Sequence, residues 1–240
     1  MLGRRTVAVS LTIVLLTTSC QARVEVAVDV RQGGAGTVTV SLGLDDDAMD
    51  EIGDLGEVLD VDDLVDRGWE IGDPDLRGDG FTWVPATREF GSPAEATAVL
   101  DEVSGPDGPF GSLTLARDRE LLTTRYTLTG AVDLREGIEA FSDPALTEAL
   151  GGPLAGLTDA ELEAATTFRL AVTLPGDVRS NAPVPDAEPA VWELRLGERR
   201  PVTATAERFN RTTILAGVVA VGAVLALVVL LTVRALRRSP

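Results

Sequence analysis

Histidine and lysine are absent from the 240-residue chain, and cysteine occurs once. Without histidine there is no Ser-His-Asp triad, no His-ligated zinc and no general base of the commonest kind. A single cysteine excludes an internal disulfide and every multi-cysteine metal centre. Without lysine, the serines at 104, 112 and 180 have no Ser-x-x-Lys arrangement to draw on either. All 21 basic residues are arginine, and 38 acids outweigh them to give a net charge of −17. That balance argues against nucleic acid as a partner, because phosphate binding needs clustered cations. The length suits one ordinary domain plus extras, or two small ones.

Hydrophobic residues are concentrated at the two ends. Arg4 and Arg5 precede the apolar stretch Thr6 to Leu16, which at 11 residues is too short to span a bilayer and reads as the core of a secretory signal. The sequence Leu16-Thr17-Thr18-Ser19-Cys20 then places a small residue directly before the only cysteine, as bacterial lipoprotein signals do. Residues 1–19 are therefore expected to be a lipoprotein signal peptide. Cys20 is the expected lipidation site, carrying a covalent diacylglycerol or acyl lipid and no other cofactor. Thr17 stands where an aliphatic residue is usual, so ordinary cleavage after Ala22 is the rival. At the other end, Ile214 to Val233 is an uncharged run of 20 residues. At about 1.5 Å per residue it matches a hydrocarbon core of about 30 Å. Residues 212–233 are expected to be a transmembrane helix, and 234–240, with Arg234, Arg237 and Arg238, a short basic cytoplasmic tail.

Between the anchors, 20–211 is expected to be a single exoplasmic domain. All 38 acids and 16 of the 21 arginines lie within Gln21–Arg211, leaving that segment at −22. Its patterning has period 2. Val24, Val26, Val28 and Val30, then Val38, Val40, Leu42 and Leu44 across the turn Gln32 to Gly36, predict a hairpin with one apolar face. The same rhythm recurs in Leu113/Leu115, Leu122/Tyr126/Leu128/Val132/Leu134, Phe168/Leu170/Val172/Leu174 and Trp192/Leu194/Leu196. Phe81 to Phe90 and Val202 to Arg208 are further strands, the former placed at a sheet edge by Pro85. Ser92-Pro93-Ala94-Glu95 is a capping box that predicts a helix closing near Gly105, and shorter helices are expected from Asp143 and Thr158. Ala48 to Val65 has mixed helical spacing. The expected fold class is α+β: an antiparallel sheet with a few packed helices, plus one C-terminal transmembrane helix.

The order of several motifs resembles the LppM-type lipoproteins of actinobacteria. These are the Cys20 signal, the early hairpin, Arg117-x-x-x-Leu121 running into Tyr126-x-Leu128-x-Gly130-x-Val132-Asp133-Leu134, Phe168-x-Leu170-x-Val172-x-Leu174-Pro175-Gly176, Asn181, and Val191-Trp192-x-Leu194-x-x-Gly197. The resemblance covers nearly the whole chain, while Pro144 to Ala165 and the acidic Leu44–Asp79 depart from it. It implies an envelope-anchored α+β domain that binds lipid or glycolipid, and it carries over no catalytic residue.

Leu44 to Asp79 holds 15 acids against Arg67 and Arg77, which suggests calcium. An EF-hand loop from Asp45 nevertheless puts Asp50 in the glycine position, and one from Asp73 puts Arg77 and Val84 at ligand positions. The stretch reads as a solvated acidic face, and no metal site is expected. Arg77-Gly78-Asp79 matches an adhesion tripeptide by coincidence of three common residues. A two-carboxylate glycosidase stays open, since sequence does not reveal carboxylate separations. With so many acids on display, pairs of them read as surface charge and no enzymatic activity is expected.

The expected ligand site is an apolar sheet face lined by Tyr126, Leu128, Phe168 and Trp192, with membrane lipid or glycolipid as partner. Arg199, Arg200, Arg208 and Arg211 are expected to form a basic, membrane-proximal group, with Arg23 and Arg31 beyond Cys20. The short links to both anchors place both domain termini at the bilayer. The alternative is a structural adaptor whose acidic face meets an envelope protein or a cell-wall polymer. A hollow face favours lipid and a filled core favours the adaptor.

Overall fold

A computed structural model describes residues 21–52, 61–104, 108–136 and 165–210, together with residue 219. The signal segment, Cys20, the two helices expected from Asp143 and Thr158, Arg211 and nearly all of the apolar run 214–233 lie outside the described residues. Among the described residues no helix is long and apolar enough to cross a membrane.

The valine alternation builds what it predicts. Strand β1 (Ala22–Val30) pairs antiparallel with β2 (Gly36–Leu44) in the register Val28↔Val38 and Val30↔Gly36. Helix α1 (Asp46–Ile52) follows, its first turn capped by the Asp45 carboxylate, which accepts from Ala48 N at 2.9 Å. Helix α2 (Val61–Asp66) leads into the short strands β3 (Glu70–Ile71) and β4 (Asp75–Leu76), which both lie along β5 (Thr82–Phe90). Helix α3 (Pro93–Ser104) begins as the capping box requires, with Glu95 N donating to Ser92 Oγ at 3.3 Å. The Glu95 carboxylate reaches back to Gly91 N at 2.8 Å, one residue before the cap.

The remaining strands are β6 (Thr114–Arg119), β7 (Thr123–Asp133), β8 (Thr166–Thr173), β9 (Asp177–Ser180), β10 (Ala190–Arg195) and β11 (Arg199–Phe209). They sort into two sheets. Sheet 1 has the order β10-β8-β1-β2-β5, with β3 and β4 on the outer side of β5, and sheet 2 has the order β6-β7-β11-β9. One cluster of buried apolar side chains draws on β1, β2, β6, β7, β8, β10, β11 and α3, so the sheets face each other across a common core. A smaller cluster, Leu44 and Ala48 with Leu42 and Met49, seats α1 on the end of sheet 1.

Three sequence expectations are corrected. The sheets are not purely antiparallel, because β1 and β8 pair parallel, with Val26 beside Leu170. Pro85 does not put β5 at an edge: β2 flanks it on one side, and β3 and β4 on the other. The partner strand is broken where proline has no N–H to give, and across that gap Gly72 N donates to Pro85 O at 2.8 Å. Leu122, grouped by rhythm with Tyr126 and Leu128, is 51% exposed at a turn.

Strand directions also fix where the chain enters and leaves. Arg23 aligns with Thr167, and Thr167 with Arg195, so Gln21 lies at the end of the sandwich where β10 turns into β11. From there β11 runs 11 residues to Phe209, about 35 Å at the usual strand rise. Entry and exit sit at opposite ends of the domain.

Candidate functional site

Tyr126 and Leu128 project from sheet 2, and Phe168 and Trp192 from sheet 1, into the shared apolar cluster. All four are buried, at 4% exposure or less. The structure thus brings the expected ligand residues together, as an apolar seam between two sheets and not as the open face of one.

Both polar atoms of the seam have partners. Trp192 Nε1 donates to Asn181 Oδ1 at 3.1 Å. The same oxygen accepts from Thr203 N at 2.9 Å, while Asn181 Nδ2 donates to Pro201 O at 2.9 Å, so one asparagine ties β10 to β11 across the sheets. At the other end of the seam, Tyr126 Oη accepts from Gly33 N at 3.2 Å. The Arg117 guanidinium lies 5.8 Å from the Tyr126 ring centre and donates to Gly33 O. Two side chains therefore latch the glycine-rich β1–β2 turn over the Tyr126 end of the core.

The arginines are separated by the strand they share. Arg199 and Arg200 open β11 and Arg208 nearly closes it, so they occupy opposite ends of the domain. Arg199 lies 3.3 Å from Asp133 and Arg200 3.4 Å from Glu198, whereas Arg208 has no ion pair with a described residue. Arg31 pairs with Glu89 and Arg23 with Asp79, each at 3.3 Å. A single basic patch is not what the fold makes of these residues.

Asp133 is held by Arg135 in a two-pronged contact, at 2.6 and 2.8 Å, with Arg199 behind it. The Arg135 hydrogen bond leads in lowering its pKa from the ordinary 3.8 to about 2, against a smaller opposing effect of burial. A carboxylate lowered on folding stabilises fully above its unfolded value, and that contribution is lost as pH falls through the folded one. Between about pH 4 and pH 2 the native chain is expected to lose stability that Asp133→Asn does not lose. Melting temperatures of the two chains across that range check this, and parallel curves would contradict it.

The Arg77-Gly78-Asp79 tripeptide is folded into a local cluster. Asp79 accepts from Phe81 N at 3.2 Å and from Trp83 Nε1 at 3.4 Å, and pairs with Arg23. Its pKa is lowered: burial pulls upward, but the Phe81, Trp83 and Arg23 contacts together outweigh it. Arg23 stacks 3.8 Å above the Phe81 ring and Arg77 4.6 Å above Trp83, so the two cations cover a buried aromatic pair. Among the described residues no group of three or more acids or cysteines converges as metal ligands would.

Sequence reasoning passed over a second feature, at the exit end. The β6–β7 turn presents Leu121 at 77% exposure beside Leu122, and Phe209, at 67%, pairs with Thr123 in the adjacent strand. Asn210 binds this turn four times. Its N–H donates to Leu122 O at 2.7 Å, and its Nδ2 lies 3.0 to 3.4 Å from the carbonyls of Glu120, Leu121 and Thr123. Its Oδ1 accepts from Thr124 Oγ1 at 2.9 Å.

No protein-family profile matches the chain, and no curated protein matches it. Among solved structures the chain is similar to the NMR structure of the folded domain of LppM from Mycobacterium tuberculosis. The TM-score is 0.40 and the identity 15%, over 80% of this chain and 93% of that one. The likeness is distant.

Proposed function

We infer that the chain is a membrane-anchored envelope lipoprotein whose exoplasmic domain binds or presents a lipid or glycolipid and has no catalytic role. The observation that carries the ligand class is the seam. Tyr126, Leu128, Phe168 and Trp192 form an apolar interior whose Tyr126 end is covered by a glycine-rich turn on two side-chain latches. An acyl chain reaches this interior when the turn lifts, and Arg117 is then placed for an anionic or sugar headgroup. The anchors come from the sequence: Cys20 after a short export signal, and the run 214–233 before three arginines.

Full chain in detergent micelles, stripped of lipid and titrated with extracted envelope lipids, is expected to show saturable binding. Tyr126→Phe, which removes the latch on Gly33, is expected to change the rate of uptake. Absence of saturable binding removes the lipid reading. The adaptor is the second reading: if the turn stays shut, the closed core leaves recognition to the outer faces.

A further inference from the structure

We propose that the Leu121–Leu122 turn and Phe209 form a membrane-seating tip that dips into the bilayer interface beside the C-terminal helix. The proposal rests on reading 214–233 as a span, and it does not require a ligand in the seam.

Position is the first argument. Asn210 is the last described residue before the apolar run, and Ile214 is four residues on, at most about 14 Å of extended chain. A turn bonded to Asn210 therefore cannot stand far from the surface that 214–233 enters. Chemistry is the second. Exposed large apolar side chains scattered singly need no explanation, but three around one turn do. Here they project from a turn whose carbonyls at 120, 121, 122 and 123 all meet Asn210. Backbone groups that leave water without a partner are costly, and this turn has its carbonyls satisfied from within the protein.

Charge is the third. Thr124, one step behind the turn, has Arg119 as its register partner on one side and Arg208 on the other. Neither arginine pairs with a described acid, in a domain where acids far outnumber cations. Two cations without an acid partner among the described residues, set just behind an apolar tip, match the order of phosphates and acyl chains in a lipid leaflet. Glu120, within the turn, accepts from Thr123 Oγ1 at 3.1 Å.

The test uses the full chain carrying Cys20→Ser, reconstituted into phosphatidylcholine vesicles with a minority of phosphatidylglycerol. A single new cysteine bears an environment-sensitive fluorophore, either at Leu121→Cys or at Val184→Cys. Val184 is also apolar and exposed, but its loop leaves sheet 2 at Asn181, whose backbone bonds Thr203, about 20 Å along β11 from Phe209. The label at 121 is expected to be quenched by lipids brominated on their acyl chains and to be severalfold less accessible to aqueous iodide than the label at 184. Leu122→Asp is expected to restore iodide access at 121. Equal shielding at the two sites, open access at 121, or shielding unchanged by Leu122→Asp each overturns the proposal. Chain washed off the vesicles by alkali overturns the span and the tip together, whereas retained chain with an open tip overturns the tip alone.

Discussion

Trp192→Ala is expected to lower the unfolding free energy by about 3–5 kcal/mol, the usual cost of truncating a buried tryptophan. Trp192 is fully buried and heads the order of buried side chains by volume. It reaches from sheet 1 to Asn181, which is itself bonded to Thr203 and Pro201 of sheet 2. Truncation leaves a cavity in the seam and removes a hydrogen bond between the sheets. Trp192→Phe keeps most of the volume and forfeits the hydrogen bond, so a loss of about 1–2 kcal/mol is expected. Urea unfolding of the full chain in micelles, followed by circular dichroism, measures both. A loss under about 1 kcal/mol for the alanine variant would mean that the seam is loosely packed, with room for a ligand chain before any turn lifts.

Gly130→Ala is expected to cost about 3 kcal/mol or more, by a different route. Gly130 has a φ of 148°, and a Cβ there would stand 2.2 Å from Ser112 O and 2.9 Å from Leu113 Cα. Those atoms are backbone and have little room to yield. The Ser112 hydroxyl is also pinned to β7, accepting from Ala131 N at 3.0 Å and donating to Ala131 O at 2.9 Å. Gly80→Ala is the matched control. Its φ is 80° but no atom lies within 4 Å of the new Cβ, so only the conformational cost of about 1–2 kcal/mol is expected. If both variants unfold at the same urea concentration, the clash with Ser112 is not what the glycine avoids.

Faces were legible in the sequence and neighbours were not. Alternation at Val24–Val30 and Val38–Leu44 states which side chains point inward, and the turn between them names the partner strand. Nothing in the periodicity of Phe168–Leu174 says that this strand pairs parallel with β1. The capping box at Ser92 is a local signal and located α3 to the residue, while β3 and β4, two residues each, are too short for any period. Pro85 misled because the rule about proline concerns a missing donor, and here the opposite strand is absent at that point. In the candidate site, the inward residues follow from alternation, but the basic group dissolves once Arg199 and Arg208 stand on one extended strand. The tip was hidden for a related reason. Leu122 keeps the strand rhythm, and an asparagine that closes a distant turn looks in sequence like any polar residue before an apolar run.

The opposite placement of chain entry and exit has a mechanical consequence. If the helix and the lipid on Cys20 enter the same bilayer, the strands must lie along its surface, because each anchor holds one end of a body about 30 Å long. With the helix alone, the domain can stand on its exit end with Gln21 held furthest from the membrane. An acyl chain on Cys20 would then act as a lever, tipping the domain from a standing strut to a reclining one.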